Sequence, residues 1–382
     1  MKTIRFGIIG CGLMGRELAS AMSRWCHLAE IDSRAELVAV CDRADAPRQW
    51  FVERIASVRQ STADYRELLA NPDVDAVYCA VPHDRHEELY CAAIHAGKHL
   101  LGEKPFGIDQ TANDAISACA AQHPRQIVRC SSEMPFHPAV QQIFAMNEAG
   151  EFGQVIEVNT GFLHSSDLDP DKPINWKRIV EVNGEYGVMG DLGMHACHVP
   201  FRAGWRPLNV RAVLSDIVRE RPDGKGGRVP CRTWDNATLL CETTDLRGGG
   251  PFPWTMKLQR IAPGEKNTWY VEIKGTKACA RFSTKNPKLL ETLRYTGGKQ
   301  SWQQDDVGYE PPFRAITGGI FEFGFSDSCQ QMLAAFTHEV AHGEPLRPSA
   351  GCVTPTEAAL SHRLFTAALA SQRQQATVAV ES

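Results

Sequence analysis

The sequence lacks long apolar runs, blocks of like charge, internal repeats and low-complexity tracts. A membrane-spanning helix needs about 18–20 apolar residues in succession. Since no run in the 382 residues approaches that length, we expect no transmembrane segment. The 41 basic and 45 acidic residues are interspersed, so we expect neither a nucleic acid nor a membrane surface as a partner.

Cysteine pairs of the CxxC type are also absent, although the chain has 13 cysteines. An odd number of cysteines, mostly inside apolar runs, favours free thiols in a reducing cytoplasm over a disulfide framework or a structural zinc site. The N-terminus enters a predicted strand directly, so no signal peptide is expected. We therefore predict a cytoplasmic protein without a metal site. The chain length suits two domains.

The first residues form the most informative pattern. Residues 4–9 are a mostly apolar run typical of a buried parallel strand, and residues 16–24 predict a helix. Between them stand Gly10, Cys11, Gly12, Leu13, Met14 and Gly15. In a dinucleotide-binding turn of this kind, the first glycine permits the sharp turn, the second lets the backbone approach the pyrophosphate, and the third lets helix and strand pack closely. The helix N-terminus attracts the phosphates.

A second buried strand, residues 36–41, ends on Asp42. A carboxylate at this position accepts hydrogen bonds from the adenosine ribose and favours NAD. Its neighbour Arg43 could meet a 2′-phosphate, and Asp42 could also be a simple turn residue. We therefore predict NAD as the cofactor, with NADP as the alternative.

Helices and strands continue to alternate up to residue 131, and two strands end in polar motifs. Ligands of open parallel sheets lie beyond the carboxyl ends of the strands. We therefore expect the residues at these two ends to face the nicotinamide side of the cofactor. They are Val81, Pro82 and His83 at one end, and Glu103 and Lys104 at the other.

These motifs together resemble the glucose–fructose oxidoreductase, inositol dehydrogenase and rhizopine-catabolism (Gfo/Idh/MocA) family. The resemblance is carried by residues 10–15, by Val81-Pro82 with His86, and by residues 96–99 leading into Glu103-Lys104-Pro105. It implies that His86 belongs to the cofactor-binding set and that Lys104 lies beside the nicotinamide and the reacting hydroxyl. A cation there favours a developing alkoxide. The resemblance also implies a cis bond before Pro105.

Beyond residue 132 the pattern changes to alternating strands without intervening helices, which predicts an open, mostly antiparallel sheet. We predict an α/β protein: a doubly wound, Rossmann-type parallel sheet in an NAD(P)-binding domain, residues 1–131, and an α+β substrate-binding and oligomerisation domain, residues 132–382.

A second motif runs from Trp176-Lys177 to Asp191 and His195. Residues four apart share one face of a helix. The segment resembles the Asp-x-x-x-His motif of the family, which implies His195 as general base and Asp191 as its helper. Lys104, Trp176 and Lys177 complete the predicted substrate-binding set. Asp191 could instead cap a helix.

The same segment departs from the family pattern at two places. His198 stands where the family usually has an acidic residue, which would change substrate contacts, and Glu185-Tyr186 replaces part of a glycine-rich lead-in, which would narrow the pocket. By residue type alone, Asp191, His195, Cys197 and His198 could also bind a metal, but no spacing fixes the set.

Other candidates carry less weight. Residues 338–342 match the HExxH motif of zinc metalloproteases, but a protease is not expected inside a dinucleotide-binding chain. Trp234, Trp254 and Trp302 are interpreted mainly as core residues. The polar loop 300–308 and Tyr309 either reach a substrate or lie in solvent.

The resemblance implies an NAD(P)-dependent dehydrogenase that moves hydride between nicotinamide and a ring hydroxyl carbon of a sugar, cyclitol or glycoside. The substrate would lie between the nicotinamide and the C-terminal sheet. Two alternatives stay open: a redox-neutral, NAD-dependent glycoside-cleaving enzyme that works by oxidation and elimination, and a dinucleotide-sensing regulator without catalysis. A homodimer or homotetramer formed through the C-terminal sheet is also implied.

Overall fold

The structure is a computed structural model that describes residues 1–308 and 310–381. Tyr309 lies outside the described residues. The chain forms two compact units, each made of several stretches of sequence. The first contains residues 1–107, 111–137 and 310–358; the second contains residues 108–110, 138–308 and 359–381.

The first unit is built on a parallel sheet with connecting helices. Its strands are β1 (Lys2–Ile9), β2 (Ser33–Cys41), β3 (Gln60–Thr62), β4 (Ala76–Cys79), β5 (His99–Gly102) and β6 (Val128–Cys130). The helices that follow them are α1 (Leu13–Ser23), α2 (Asp45–Arg54), α3 (Tyr65–Ala70), α4 (His86–His95) and α5 (Gln110–Gln122). The strand order is β3-β2-β1-β4-β5-β6. This is the doubly wound order, and it confirms the predicted Rossmann-type sheet.

The apolar composition of the central strands explains their position. Phe6 and Ile8 of β1 have no exposed surface, and neither does Val77 of β4. Strands buried on both faces are continuous apolar runs, as β1 is. The strand order reverses between β1 and β4, so the crevice beyond the carboxyl ends of these two strands is the expected ligand site.

The rest of the chain forms further elements. In chain order they are α6 (Pro138–Glu148), β7 (Val155–Leu163), α7 (Val180–Asn183), α8 (Met194–Arg202), β8 (Trp205–Ser215), β9 (Glu220–Pro222), β10 (Arg228–Pro230), β11 (Asn236–Asp245), β12 (Phe252–Gln259), β13 (Thr268–Gly275), β14 (Ala278–Ser283), β15 (Leu289–Arg294), β16 (Gln303–Asp306), α9 (Phe325–His342), α10 (Pro355–Gln374) and β17 (Val378–Ala379).

The second unit contains a nine-stranded sheet in the order β16-β15-β14-β13-β7-β12-β11-β8-β17. Only the β7–β12 pair is parallel among the strand pairs of this sheet within the described residues. Buried and exposed residues alternate along β11 and β12, as expected where one face is covered and the other open. The mostly antiparallel sheet is therefore confirmed. The predicted loop 300–308 is corrected in part, because β16 pairs with β15 at the sheet edge.

Helix α9 belongs to the first unit, where it packs against α1 and β2. The rings of Phe6 on β1 and Phe336 on α9 lie 6.0 Å apart between centroids. The core of the first unit thus includes a segment some 200 residues downstream of its last strand. The functional division into residues 1–131 and 132–382 stays a prediction. No helix among the described residues is long and apolar enough to cross a membrane.

Candidate active site

The three glycines of the first turn differ in what surrounds them. Gly10 has φ +98°, and a Cβ there would lie 2.1 Å from the carbonyl oxygen of Ala80. A Cβ on Gly15 would lie 2.3 Å from the carbonyl oxygen of Gly10, so α1 packs directly on the end of β1. Gly12 is exposed, and a Cβ added to it would have no other atom within 4 Å. Leu13 is exposed as well. The open side of the turn is where a pyrophosphate would approach the start of α1.

Asp42 lies directly beside this turn. Its Oδ2 accepts a hydrogen bond from the backbone amide of Cys11 at 2.9 Å, and its Oδ1 accepts one from that of Ala44 at 3.0 Å. These bonds hold a partly exposed carboxyl group in place at the end of β2. A carboxylate has further lone pairs with which to accept ribose hydroxyls. The donor set of the turn and Asp42 thus suits an NAD nucleotide, and exposed Arg43 follows it.

The ends of β4 and β5 are tied together around Glu103. The Tyr78 hydroxyl donates to Glu103 Oε1 at 2.6 Å, and the Tyr90 hydroxyl donates to the Glu103 carbonyl at 2.7 Å. Glu103 is therefore buried and held in place, whereas the next residue, Lys104, is partly exposed. The Lys104–Pro105 bond is cis, as the resemblance implied.

His86 corrects one prediction. Its imidazole has no exposed surface, so it has no face left for direct contact with a cofactor. Nε2 lies 3.1 Å from the carbonyl oxygen of Val81, and Nδ1 accepts a hydrogen bond from the amide of Gly107 at 3.3 Å. His86 thereby links the loop after β4 to the loop that carries Lys104. It is a positioning residue, and His83, 3 % exposed, is nearly as deeply buried.

Glu133 is a candidate that the sequence analysis missed. It is buried just after β6, and Glu103 and Lys104 both act on its carboxyl group electrostatically. Burial, with a further contribution from Glu103, raises the pKa of Glu133 to about 7, and the opposing effect of Lys104 is smaller. A single acidic residue after a short strand carries no sequence signal of this kind; only its burial beside another carboxylate does.

In the second unit, Asp191 lies at the centre of a charged cluster. Lys177 Nζ donates to both carboxylate oxygens, at 2.9 and 3.0 Å, and Arg260 Nε donates to Oδ2 at 3.2 Å. Asp191 is 4 % exposed and Arg260 is 1 % exposed. A buried carboxylate needs such partners to stay charged. The structure thus joins two predicted residues, Asp191 and Lys177, with Arg260, which the sequence analysis did not single out.

The local backbone differs from the single helix that the spacing predicted. Asp191 lies in a π-helical turn, Met189–Gly193, and His195 lies in the first turn of α8. Such turns occur frequently at functional sites. The Asp191 carboxylate hydrogen-bonds Lys177 and Arg260. The cap positions before the two helical segments are occupied by Val188 and Gly193, and neither forms a side-chain cap. The capping interpretation is therefore wrong.

The neighbourhood of His195 is aromatic. The rings of Phe162 on β7 and His195 are nearly perpendicular, with centroids 5.4 Å apart, and Trp269 Nε1 donates to the His195 carbonyl at 2.8 Å. These contacts fix the first turn of α8 over the sheet. His195 is 5 % exposed. Trp176 is partly exposed, and Lys177 Nζ lies over its ring, 5.9 Å from the ring centroid.

Three other side chains of this segment belong to the protein interior. His198 and Cys197 have no exposed surface, and the Cys197 thiol hydrogen-bonds Ser361. Tyr186 packs against His362 and Phe365 instead of narrowing an open site. The expectations that His198 changes substrate contacts and that Tyr186 narrows the pocket are therefore corrected.

The HExxH segment has a structural role in the first unit. Glu339 has no exposed surface. Its carboxylate accepts one hydrogen bond from Arg129 Nε at 2.5 Å and another from the backbone amide of Cys352 at 2.7 Å. A metalloprotease needs this glutamate to activate water, and here both oxygens are engaged in an ion pair and a backbone contact.

Trp254 is fully buried, as predicted for a core residue, whereas Trp302 is 36 % exposed.

Comparison with known proteins identifies the N-terminal part. Residues 4–130 match the GFO_IDH_MocA family, described as an oxidoreductase family with an NAD-binding Rossmann fold. Levoglucosan dehydrogenase from Pseudarthrobacter phenanthrenivorans is 29 % identical over 303 residues, 74 % of either chain. Inositol 2-dehydrogenase from Salmonella typhimurium is 24 % identical over 157 residues, 41 % of this chain and 45 % of that one.

A solved structure of levoglucosan dehydrogenase in complex with NADH and L-sorbose superposes with a TM-score of 0.89 at 21 % identity and covers 100 % of both chains. This likeness extends the fold match over the second unit. Together with the named relatives, this match confirms the predicted enzyme class and NAD cofactor, and it confirms the predicted resemblance over residues 4–130. The chain is an NAD(P)-dependent oxidoreductase whose residues 4–130 match the Gfo/Idh/MocA family.

Proposed function

We propose that the protein is a dehydrogenase that transfers hydride between nicotinamide and a ring hydroxyl carbon of a sugar, cyclitol or glycoside. The observation that carries this proposal is the charged cluster of Lys177, Asp191 and Arg260 one helical turn before His195. The names of the relatives, levoglucosan dehydrogenase and inositol 2-dehydrogenase, support the substrate class.

The cluster supplies what recognition of a polyhydroxylated ring requires. Asp191 is held ionised by two cations, so it accepts hydrogen bonds from hydroxyl groups, and Lys177, with 38 % of its side chain exposed, donates to them. Arg260 is buried and also donates to the Lys177 and Gly187 carbonyls, at 3.1 and 3.3 Å. We assign Arg260 as the positioning residue that keeps Asp191 and the Lys177 backbone in place.

Proton movement is proposed to involve His195 and Lys104. The His195 imidazole removes the proton from the reacting hydroxyl, and the Lys104 ammonium stabilises the negative charge that develops on that oxygen. NAD, when bound along Gly10, Gly12 and Asp42, supplies the hydride acceptor. Glu133 lies within electrostatic reach of Lys104 and provides a nearby carboxyl group able to exchange a proton near neutral pH.

The first test is a substrate panel with NAD and NADP in parallel, in which absorbance of the reduced nicotinamide is measured. The panel contains levoglucosan, inositol, other sugars and cyclitols, and their glycosides. We expect net reduction with at least one ring polyol and faster reduction of NAD than of NADP. Glycoside cleavage without net reduction would establish the redox-neutral alternative. Bound dinucleotide with neither reaction would favour the regulator.

We also propose that the open face of the nine-stranded sheet pairs with a second copy of the chain. Large apolar side chains are exposed on its strands, among them Ile156 on β7, Val213 on β8 and Leu240 on β11. Val213 and Leu240 lie on the same face, because Val213 pairs with Thr238, two residues before Leu240. Exposed apolar patches of this kind mark interaction surfaces.

A further inference from the structure

Two thiols and two imidazoles meet near the ends of α4 and α5, and none of them belongs to the residues proposed for cofactor or substrate binding. Cys91 and His95 are four residues apart on α4; Cys119 and His123 are four apart at the end of α5. One ligand atom each of His95, Cys119 and His123 lies within 4.8 Å of the other two. The Cys91 thiol hydrogen-bonds the Cys119 sulfur, which places a fourth side chain beside Cys119.

The topology of the first unit explains this convergence. The strands β4, β5 and β6 are neighbours and parallel, and α4 and α5 connect them. Right-handed crossovers that proceed in one direction place both helices side by side on the same face of the sheet. Residues four apart share one helical face, so each helix offers one cysteine and one histidine toward the other. His95 lies in the last turn of α4, and His123 follows α5, where the negative ends of the helix dipoles favour a cation.

The separation of Cys119 and His95 agrees with that of two ligands in a tetrahedral metal site. Ligand distances of about 2.3 Å to sulfur and 2.0–2.1 Å to nitrogen place a sulfur and a nitrogen about 3.6 Å apart at the tetrahedral angle. His95 Nε2 lies 3.6 Å from Cys119 Sγ. Ordinary van der Waals packing does not require an imidazole nitrogen, two thiols and a second imidazole to converge.

The second imidazole is already oriented for ligation. His123 Nδ1 donates a hydrogen bond to the carbonyl oxygen of Cys119 at 2.9 Å. This bond fixes the tautomer with the lone pair on Nε2, as hydrogen bonds to metal-binding histidines commonly do. Cys119 is 7 % exposed and Cys91 is half-buried. Burial raises the pKa of Cys91 to about 12, so metal binding would have to displace its proton.

We propose that Cys91, His95, Cys119 and His123 form a site for a thiolate-binding divalent transition metal of the Zn²⁺ class. Four protein ligands close the coordination shell, so the bound metal clamps α4 to α5 and takes no part in the oxidoreductase reaction. The proposal replaces the expectation that the chain has no metal site. That expectation rested on the absence of CxxC pairs, whereas the ligands are spaced as Cys-x-x-x-His on each of two helices.

The experiment is a titration of the full chain, reduced and freed of metal by chelation, with Co²⁺ as a spectroscopic probe. We expect one equivalent to give the intense visible bands of tetrahedral Co²⁺ together with a thiolate-to-metal charge-transfer band. Stoichiometric Zn²⁺ should abolish both and raise the melting temperature. Elemental analysis of protein purified without chelator provides a second, independent measurement of the metal.

Matched variants make the titration decisive. Cys91→Ser combined with Cys119→Ser should remove the charge-transfer band, and His95→Asn, at an exposed position that does not threaten folding, should weaken Co²⁺ binding at least ~10-fold. Cys26→Ser, which removes an exposed thiol of the same unit, should change neither the charge-transfer band nor the Co²⁺ affinity. His338→Asn tests the cluster of Asp32, His338 and His342, which has no sulfur ligand and cannot give the charge-transfer band.

Three results would overturn the proposal. They are the absence of a charge-transfer band in the reduced wild-type chain, its persistence in Cys91→Ser with Cys119→Ser, and unchanged Co²⁺ affinity in His95→Asn. None of these readouts depends on dehydrogenase activity, so the metal site and the proposed function can fail separately.

Discussion

At the residue scale, the glycines of the first turn serve two different purposes, since one is required by the fold and another by ligand binding. Gly10 is required by the backbone, since its φ is +98° and a Cβ would collide with the Ala80 carbonyl. Gly12 has ordinary backbone angles, φ −74° and ψ −160°, and no atom within reach of a Cβ. The fold therefore tolerates a side chain at Gly12, but that side chain would obstruct a pyrophosphate bound at the turn.

We therefore expect Gly12→Ala to weaken NAD binding at least ~10-fold, whereas the free energy of unfolding should fall by no more than about 1 kcal/mol, the cost of alanine at the N-cap of α1. Gly10→Ala should instead destabilise the protein by about 2 kcal/mol or more, because of both the collision and the positive φ. Calorimetry of NAD binding and urea unfolding measure the two effects. Equal NAD affinity in Gly12→Ala and wild type would contradict the assignment of the turn.

His195 is the residue on which the proposed chemistry depends most. We expect His195→Ala to reduce turnover by ~100-fold or more and to leave the NAD dissociation constant nearly unchanged, because the residue serves proton transfer and lies outside the cofactor turn. His195→Gln keeps most of the side-chain volume and should be equally inactive. A comparable loss of NAD affinity in both variants would contradict the role of general base.

At the scale of elements, the loops after β5 and β6 carry a carboxyl group that titrates near neutrality. Since the pKa of Glu133 is raised above its ordinary value of 4.5 to about 7, the protonated form is favoured in the folded state. Its contribution to stability is therefore present below about pH 4.5 and is lost as the pH rises through about 7.

Over this range we expect the free energy of unfolding of the wild type to fall by up to about 3 kcal/mol relative to that of Glu133→Gln, which cannot ionise. Denaturant unfolding of both proteins at several pH values measures the difference. His137, whose pKa burial lowers to about 4, is present in both proteins and cancels. A difference that does not vary with pH would show that Glu133 keeps an ordinary pKa.

Helix α9 is fixed to the parallel sheet through the Arg129–Glu339 ion pair. We expect Glu339→Ala to lower the free energy of unfolding by about 2 kcal/mol or more, since it leaves Arg129 and the Cys352 amide without their acceptor. Glu344→Ala, at an exposed position after the same helix, should change it by less than about 0.5 kcal/mol. Chemical denaturation compares the two, and equal small effects would mean that the pair contributes little.

At the scale of the whole molecule, the proposed pairing of the open sheet face can be tested by charge. Leu240→Glu places a carboxylate on that face and should convert the assembly into monomers, because an unpaired charge is costly to bury in an interface. Leu246→Glu changes another exposed leucine, just beyond the end of β11, and should leave the assembly intact. Light scattering measures the mass of each variant. A wild-type monomer, or dissociation of both variants, would contradict the proposal.

The sequence by itself determined those strands, turns and helices whose formation depends on residues close together in the chain. The run into Gly10–Gly15, the carboxylate that ends β2 and the alternation after residue 153 each predicted the observed element, because strand burial, turn geometry and sheet alternation are encoded over a few residues. The motif Glu103-Lys104-Pro105 was likewise visible in the sequence.

Only the tertiary structure decided which distant groups meet. Arg260 reaches Asp191 across 69 positions, Glu339 reaches Arg129 across 210, and Glu133 acquires its raised pKa from burial beside Glu103. His86 changed from a cofactor contact into a buried link between two loops for the same reason. Hydrogen bonds, ion pairs and burial depend on distances in space, and these are set by packing that no local pattern contains.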